Sequence, residues 1–220
     1  MDSRRIADLL KLFLTLELSQ QQLKDISTYI DILLRWNAKL NLTAIRDRDQ
    51  IVTRHFGESL FTAQHLFPRN SARDEAIGDG ELTSAVRVID VGSGAGFPGL
   101  PIKIWNPSIQ MKLIEANHKK AAFLREVIRT LGLRDAWAVA SRAETLSEVA
   151  EIVTLRAVER FEIALPMATR LVAPEGRLAL LVGRNQLDGI KGGDFSWQNP
   201  LPIPLSAQRV LLIGTRHGAT

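Results

Sequence analysis

The 220-residue chain has no cysteine, a single tyrosine and three methionines. Without thiols there are no disulfides, no thiolate zinc or iron–sulfur sites and no cysteine nucleophile. Such a composition fits a reducing compartment, and a cytoplasmic location is expected. Long apolar runs are missing too. The most apolar stretch near the start, Ile6 to Leu18, is interrupted by Asp8, Lys11 and Glu17. That fits neither a membrane span nor a signal peptide, so no membrane association is expected. An overall excess of one charge sign is small: 28 basic against 24 acidic side chains, net +4. Before residue 91 there are 12 basic and 13 acidic residues, and from there on 16 and 11. The positive excess therefore sits in the second part, where it permits a polyanionic partner without demanding one. With 45% hydrophobic and 24% charged residues, the chain has the make-up of a globular protein, and disorder, collagen and coiled coil are excluded.

The first sixty residues carry helical periodicity. Ile6, Leu9, Leu10, Phe13 and Leu14 are spaced by three and four, as on one face of a helix. Ser19, with Gln22 three residues on, has the form of a capping box before a second helix whose apolar stripe runs through Leu23, Ile26, Tyr29, Ile30, Leu33, Leu34, Trp36 and Leu40. A third helix is expected from Asp49 or Gln50 to Phe67. From Pro68 to Ser84 the periodicity disappears into Arg, Asn, Ser, Asp, Glu and Gly, which predicts a linker or surface loop. Short β-branched runs follow at Val86–Val91, Met111–Ile114, Ile152–Leu155 and Leu178–Val182, with helix-like segments between them. This alternation predicts a parallel sheet covered on both faces, with Val210–Ile213 as a late antiparallel strand. The expected organisation is a helical region over 1–67, a linker over 68–84 and an α/β domain over 85–220.

The strongest local signal is the run from Asp90 to Gly99, Asp-Val-Gly-Ser-Gly-Ala-Gly-Phe-Pro-Gly, directly after the first strand. Glycines there permit a tight strand-to-helix turn with positive φ and let a ligand lie against bare backbone at a helix N-terminus. Two frames fit these letters. Gly94, Gly96 and Gly99 make the dinucleotide fingerprint, while Asp90, Gly92, Gly94 and Gly96 make the acidic-first pattern of methyltransferases that use S-adenosylmethionine. Glu115, nineteen residues after Gly96 and at the end of the second strand, is placed to accept both hydroxyl protons of a ribose. That spacing supports a ribose-containing cofactor and leaves NAD and S-adenosylmethionine both open. Two residues favour the latter. Pro98 falls where a dinucleotide helix needs its early turn, and a carboxylate at Asp90 would repel a pyrophosphate but suits a cationic methionine end.

Several separated blocks extend the pattern: Trp36-Asn37-Ala38-Lys39-Leu40-Asn41-Leu42-Thr43, Arg54-His55-Phe56-Gly57-Glu58-Ser59, and the glycine run continued through Leu100-Pro101. Beyond them stand Lys119-Lys120-Ala121-Ala122-Phe123-Leu124, Ser141-Arg142-Ala143-Glu144 and Arg156-Ala157-Val158. In order and spacing, over about residues 20 to 185, the chain resembles the RsmG (GidB) family of bacterial 16S rRNA guanine-N7 methyltransferases. The resemblance implies a Rossmann-like class I methyltransferase sheet with an N-terminal helical cap, S-adenosyl-L-methionine as cofactor, and a guanine in the decoding region of 16S rRNA or the small ribosomal subunit as substrate. It implies that Gly92 and Phe97 line the cofactor pocket, beside Gly94, Gly96 and Glu115, which the glycine frame and the acidic spacing already assign to cofactor binding. Ala143 and Glu144 would meet the adenine end, and Arg156, ending the third strand named above, would complete the site. The chain departs from the family pattern at Glu58, where Asp is usual, and at Val182, where Lys is usual and neighbouring Arg184 can stand in. The 68–84 segment is also longer than the family needs.

Guanine N7 already carries a lone pair, so attack on a sulfonium methyl needs no general base, and no catalytic residue is assigned. Alignment in a water-poor pocket is the main requirement. Arg54, His55, Lys119, Lys120 and Arg125 are the candidates for RNA contact, with splayed-base recognition expected because no RRM, KH or zinc-knuckle pattern occurs. His65, His118 and His217 lack ligand spacing, and no metal is assigned. DNA is not an expected partner, and a monomer is expected. An NAD-dependent oxidoreductase on the overlapping frame and a non-catalytic RNA-binding module are the alternative functions.

Overall fold

The computed structural model describes residues 1–69, 85–156, 161–190 and 193–218. The segment expected to be a linker lies outside the described residues apart from Pro68 and Arg69; Ala157 and Val158 lie outside them as well.

Helix α1 (Ser3–Leu10) is shorter than its apolar spacing predicts. Leu14 lies beyond it, although Phe13 is still buried. Helix α2 (Gln20–Leu40) begins at the predicted capping box, in which the Ser19 hydroxyl accepts from the Gln22 amide and the Gln22 side chain accepts from the Ser19 amide. It ends at Asn41, whose φ of 46° leaves the helical region. The predicted third helix is a run of three pieces: α3 (Arg48–Ile51), six residues of wider π-helix (Val52–Gly57) and α4 (Glu58–Leu66). Gly57 lies where a Cβ would sit 2.7 Å from the Phe13 ring, so only glycine lets Phe13, in the turn after α1, pack there.

Strand β1 (Arg87–Val91) leads through α5 (Gly99–Trp105) to β2 (Gln110–Glu115), and α6 (His118–Leu131) leads on to β3 (Ala136–Ala140). A short 3₁₀ turn, Ala143–Thr145, connects to β4 (Ala150–Arg156). Helix α7 (Phe161–Arg170) precedes β5 (Val172–Gly183), and β6 (Phe195–Trp197), β7 (Leu201–Pro202) and β8 (Arg209–Arg216) follow. Among the described residues the strands form one sheet in the order β3-β2-β1-β4-β5-β8-β6, with β7 also paired to β8. The first five are parallel and β8 is antiparallel to β5, as predicted for the late strand. Strand β3 is not among the predicted strands. It is an edge strand of alternating Ala with Trp137 and Val139, and carries little β-branched signal. Arg156 consequently ends the fourth strand, not the third.

Alternate residues of each central strand serve opposite faces. Val88, Met111, Leu113 and Ile152 join a cluster with the N-terminal helices, α5 and α6, including Ile6, Tyr29, Phe56, Trp105 and Phe123. Ile89, Val91, Ile114, Val153 and Leu155 join a second cluster with α7 and β8. Several polar side chains are enclosed in this packing, a lysine among them. The Lys103 ammonium, on an almost fully buried side chain, donates to the carbonyls of Pro107 at 2.7 Å and Ile109 at 2.5 Å, which closes the turn after α5.

The order 3-2-1-4-5 reverses direction between β1 and β4. In doubly wound folds the crevice beyond the carboxyl ends of the strands at that reversal is where ligands bind.

Candidate active site

The loop from β1 to α5 lies at this crevice, and its glycines divide into two jobs. Gly92 and Gly94 have φ of 67° and 55°. Gly92 is exposed and Gly94 partly so, and a Cβ on Gly94 would meet nothing nearer than the Gly92 carbonyl at 3.8 Å. These two keep the backbone bare towards the crevice. Gly96 (φ 86°) and Gly99 are buried, and there a Cβ would collide with other groups: the Tyr29 hydroxyl and Leu100 at Gly96, Leu113 and the Asp90 carboxyl at Gly99. The frame shared with the dinucleotide fingerprint is thus set largely by packing.

Asp90 does not face the crevice, contrary to its expected service to a methionine end. It is fully buried and accepts from the Thr154 hydroxyl at 2.7 Å and the Gly99 amide at 3.3 Å, tying β4 and the start of α5 to β1. Burial raises its carboxyl to about 6, against the opposing hydrogen bonds.

Glu115 is where the spacing predicts. One oxygen accepts from the Gly94 amide at 2.9 Å and the other from the Asn117 amide at 2.8 Å. Each oxygen retains a lone pair, so the carboxylate can also accept from a vicinal diol. The Ser141 amide donates to the Glu115 carbonyl at 3.2 Å, bringing the turn that carries Ala143 and Glu144 beside it. The Arg170 guanidinium donates to the carbonyls of Ala143 (3.1 Å) and Glu144 (3.2 Å) and steadies that turn. Strands β1, β2, β3 and β4 therefore bring Gly92, Gly94, Phe97, Glu115, Ala143, Glu144 and Arg156 to one edge of the sheet. Gly96 belongs to the same loop but is buried beneath it.

The N-terminal helices reach the same edge. Phe97 stacks on Tyr29 (centroids 5.3 Å, 4° between planes) and on His55 (4.7 Å, 18°), while the Arg156 guanidinium lies 6.0 Å from its ring centre. The Trp36–Thr43 block explains how His55 is held. Asn37 exchanges two 2.9 Å hydrogen bonds with the Thr43 backbone, and the Thr43 hydroxyl bonds His55 Nε2 at 2.8 Å. Trp36 Nε1 donates to Glu126 of α6 at 2.9 Å. Burial, with Arg156, Arg209 and Arg54 nearby, lowers His55 to about 3, so it is neutral at pH 7 and offers no charge to a phosphate.

Arg156 donates to the Arg54 carbonyl at 2.7 Å and pairs with the Glu58 carboxylate at 3.0 Å. Glu58 is buried and also pairs with Arg209. Its carboxyl is raised because burial outweighs the surrounding guanidiniums. One carboxylate among Arg54, Arg156 and Arg209 leaves this side of the crevice positive. Lys119 and Lys120 open α6 on the other side, where the Asn117 side chain caps both of their amides. Arg125 stands apart: its Nε donates to the Ala138 carbonyl on the free edge of β3 at 3.2 Å. Arg184 is exposed, and Val182 is buried in the second cluster.

Sequence reading misses Tyr29, Thr43 and Arg209. Tyr29 carries a signal, since a lone tyrosine in an apolar helical stripe needs a partner for its hydroxyl. Arg209 carries none.

Comparison with known proteins bears on the fold and on the family. Solved structures of similar fold include the ribosomal protein L11 methylase of Lactobacillus delbrueckii subsp. bulgaricus (TM-score 0.57, 11% identity, 74% of this chain and 79% of that one). Another is TYW2 of P. horikoshii in complex with MeSAdo (TM-score 0.52, 18% identity, 61% and 58%). These likenesses show a class I, Rossmann-like methyltransferase fold. Among curated proteins, ribosomal RNA small subunit methyltransferase G of Chloroflexus aggregans is 37% identical over 218 residues, covering 92% of this chain and 85% of its own. The protein of the same name from Stenotrophomonas maltophilia strain K279a is 37% identical over 194 residues, covering 87% and 82%. The model of the family described as rRNA small subunit methyltransferase G matches residues 22–210, and the chain belongs to that family, GidB.

Proposed function

We propose that the protein transfers a methyl group from S-adenosyl-L-methionine to N7 of a guanine in the decoding region of 16S rRNA. The observation that carries the reading is the Glu115 carboxylate fixed by the Gly94 amide beside two bare left-handed glycines, in a member of a small-subunit rRNA methyltransferase family.

The residues present fit such a cofactor. Glu115 accepts from the ribose hydroxyls, Gly92 and Gly94 admit the methionine portion, and the turn at Ala143 and Glu144 lies on the adenine side. Phe97 and Arg156 form the wall towards the N-terminal helices. S-adenosylmethionine, when bound, supplies an electrophilic methyl on a sulfonium. Guanine N7 has its own lone pair, so the chain needs no general base. Its task is to align the purine and exclude water. His55, held neutral and bonded to Thr43, adds no charge at the site. Arg54 on one side of the crevice and Lys119 and Lys120 on the other are exposed or partly exposed cations suited to RNA phosphates.

Two measurements test the reading. S-adenosylhomocysteine at about a hundred times its dissociation constant should stabilise the protein by about 2.7 kcal/mol, and NAD should not. Primer extension after borohydride and aniline treatment should reveal a modified guanine in 16S rRNA only where the protein is present. Stabilisation by NAD alone, or no protein-dependent stop, overturns it.

A further inference from the structure

Tyr29 is the chain's one tyrosine, fully buried on α2, and its hydroxyl reaches across to the cofactor loop. It donates to the Ala95 carbonyl at 2.5 Å, while the Gly96 amide donates to the Ser93 carbonyl at 2.6 Å. Ala95 C=O and Gly96 N–H belong to the same peptide plane, so that plane is held at both ends. A glycine with positive φ follows it, and glycine backbone turns over readily unless something fixes it. The same tyrosine occupies the space a Cβ on Gly96 would need, and its ring lies parallel to Phe97. The phenol stays protonated, since burial and the neighbouring Asp90 carboxyl both raise it well above its ordinary value.

We infer that Tyr29 is a positioning residue for cofactor binding: a side chain of the N-terminal helical region sets the peptide orientation of the Gly94–Phe97 turn. It touches neither cofactor nor RNA. The helical region is then part of the cofactor site's construction as well as a surface beside it. The inference rests on the proposed cofactor site.

Tyr29→Phe tests it, because the ring and its stacking survive while the hydroxyl is removed. A buried carbonyl left without a donor favours other orientations of the peptide. The dissociation constant for S-adenosylhomocysteine, by calorimetry, and the KM for S-adenosylmethionine should rise about tenfold. The KM for RNA should change less than twofold. In the ligand-free protein, the Gly96 and Phe97 amides should exchange hydrogen faster, with the α6 amides unaffected. Gly96→Ala, which presses on the hydroxyl from the other side, should give the same pattern. Ile26→Ala on the same helix serves as the control for simple destabilisation. Tyr29→Phe with an unchanged dissociation constant, or Ile26→Ala with an equal loss of ligand affinity, overturns the inference alone. A wild-type protein that does not bind S-adenosylhomocysteine overturns the cofactor reading and this inference with it.

Discussion

Arg156, the last residue of β4, and Glu58, the first of α4, form a buried ion pair at 3.0 Å that joins the sheet's carboxyl edge to the N-terminal helices. Removing one partner leaves the other's charge buried and uncompensated. Glu58→Gln should lower the unfolding free energy by about 3–5 kcal/mol, measured by urea denaturation. Glu58→Asp keeps the charge and should cost less.

Glu115→Gln keeps an acceptor for one amide and removes the charge. Hydrogen bonds to a charged group contribute about 1.5–3 kcal/mol, so affinity for S-adenosylhomocysteine should fall roughly 10- to 100-fold. Calorimetry checks this, and an unchanged affinity would remove Glu115 from the site.

The protonation of His55 bears on acid stability. Its folded value of about 3 lies below the ordinary 6.5, so the unfolded chain binds the proton more tightly. The resulting stability is complete above pH 6.5 and is lost as pH falls from there towards 3. His55→Gln should flatten that part of the stability profile. Buried Asp90, raised to about 6 from 3.8, acts in the opposite direction, its contribution falling as pH rises between those values. Asp90→Asn should remove that opposing slope.

Gly99→Ala places a methyl group against Leu113 and the Asp90 carboxyl. The expected loss is about 1–3 kcal/mol, visible as a lower denaturation midpoint. Gly94→Ala meets no such neighbour, and its cost should come from its positive φ and from the crevice it narrows.

Replacing Lys119 and Lys120 with Glu should reduce rRNA methylation and flatten its salt dependence, by about 0.7 in log–log slope for each phosphate no longer neutralised. Cofactor affinity should stay within about twofold, because both side chains lie outside the Glu115–Gly94 hydrogen bond. Equal losses for cofactor and RNA would contradict their assignment to phosphates.

Much of the site can be read from sequence because its parts lie in local patterns. The β-branched strand before Gly92, the glycine spacing and the acidic residue ending β2 each follow from short-range rules. The capping box at Ser19 does too. What escapes depends on distant partners. Glu58 and Arg156 are 98 residues apart, and Tyr29 and Ala95 are 66 apart. No spacing rule links such pairs. Asp90 misleads because its position next to the glycines gives no sign that its side chain turns inward to Thr154. Strand β3 escapes because alanine carries no strand preference, and only pairing with β2 makes Ala136–Ala140 a strand.

The bond from Arg125 to the Ala138 carbonyl carries one more consequence. It occupies a hydrogen-bond acceptor on the outermost strand, where a foreign chain would otherwise dock and extend the ladder. An RNA that drew this guanidinium away would bare the rim of the sheet, so neutralising Arg125 should show first as self-association in concentrated solution, before any change in catalytic turnover.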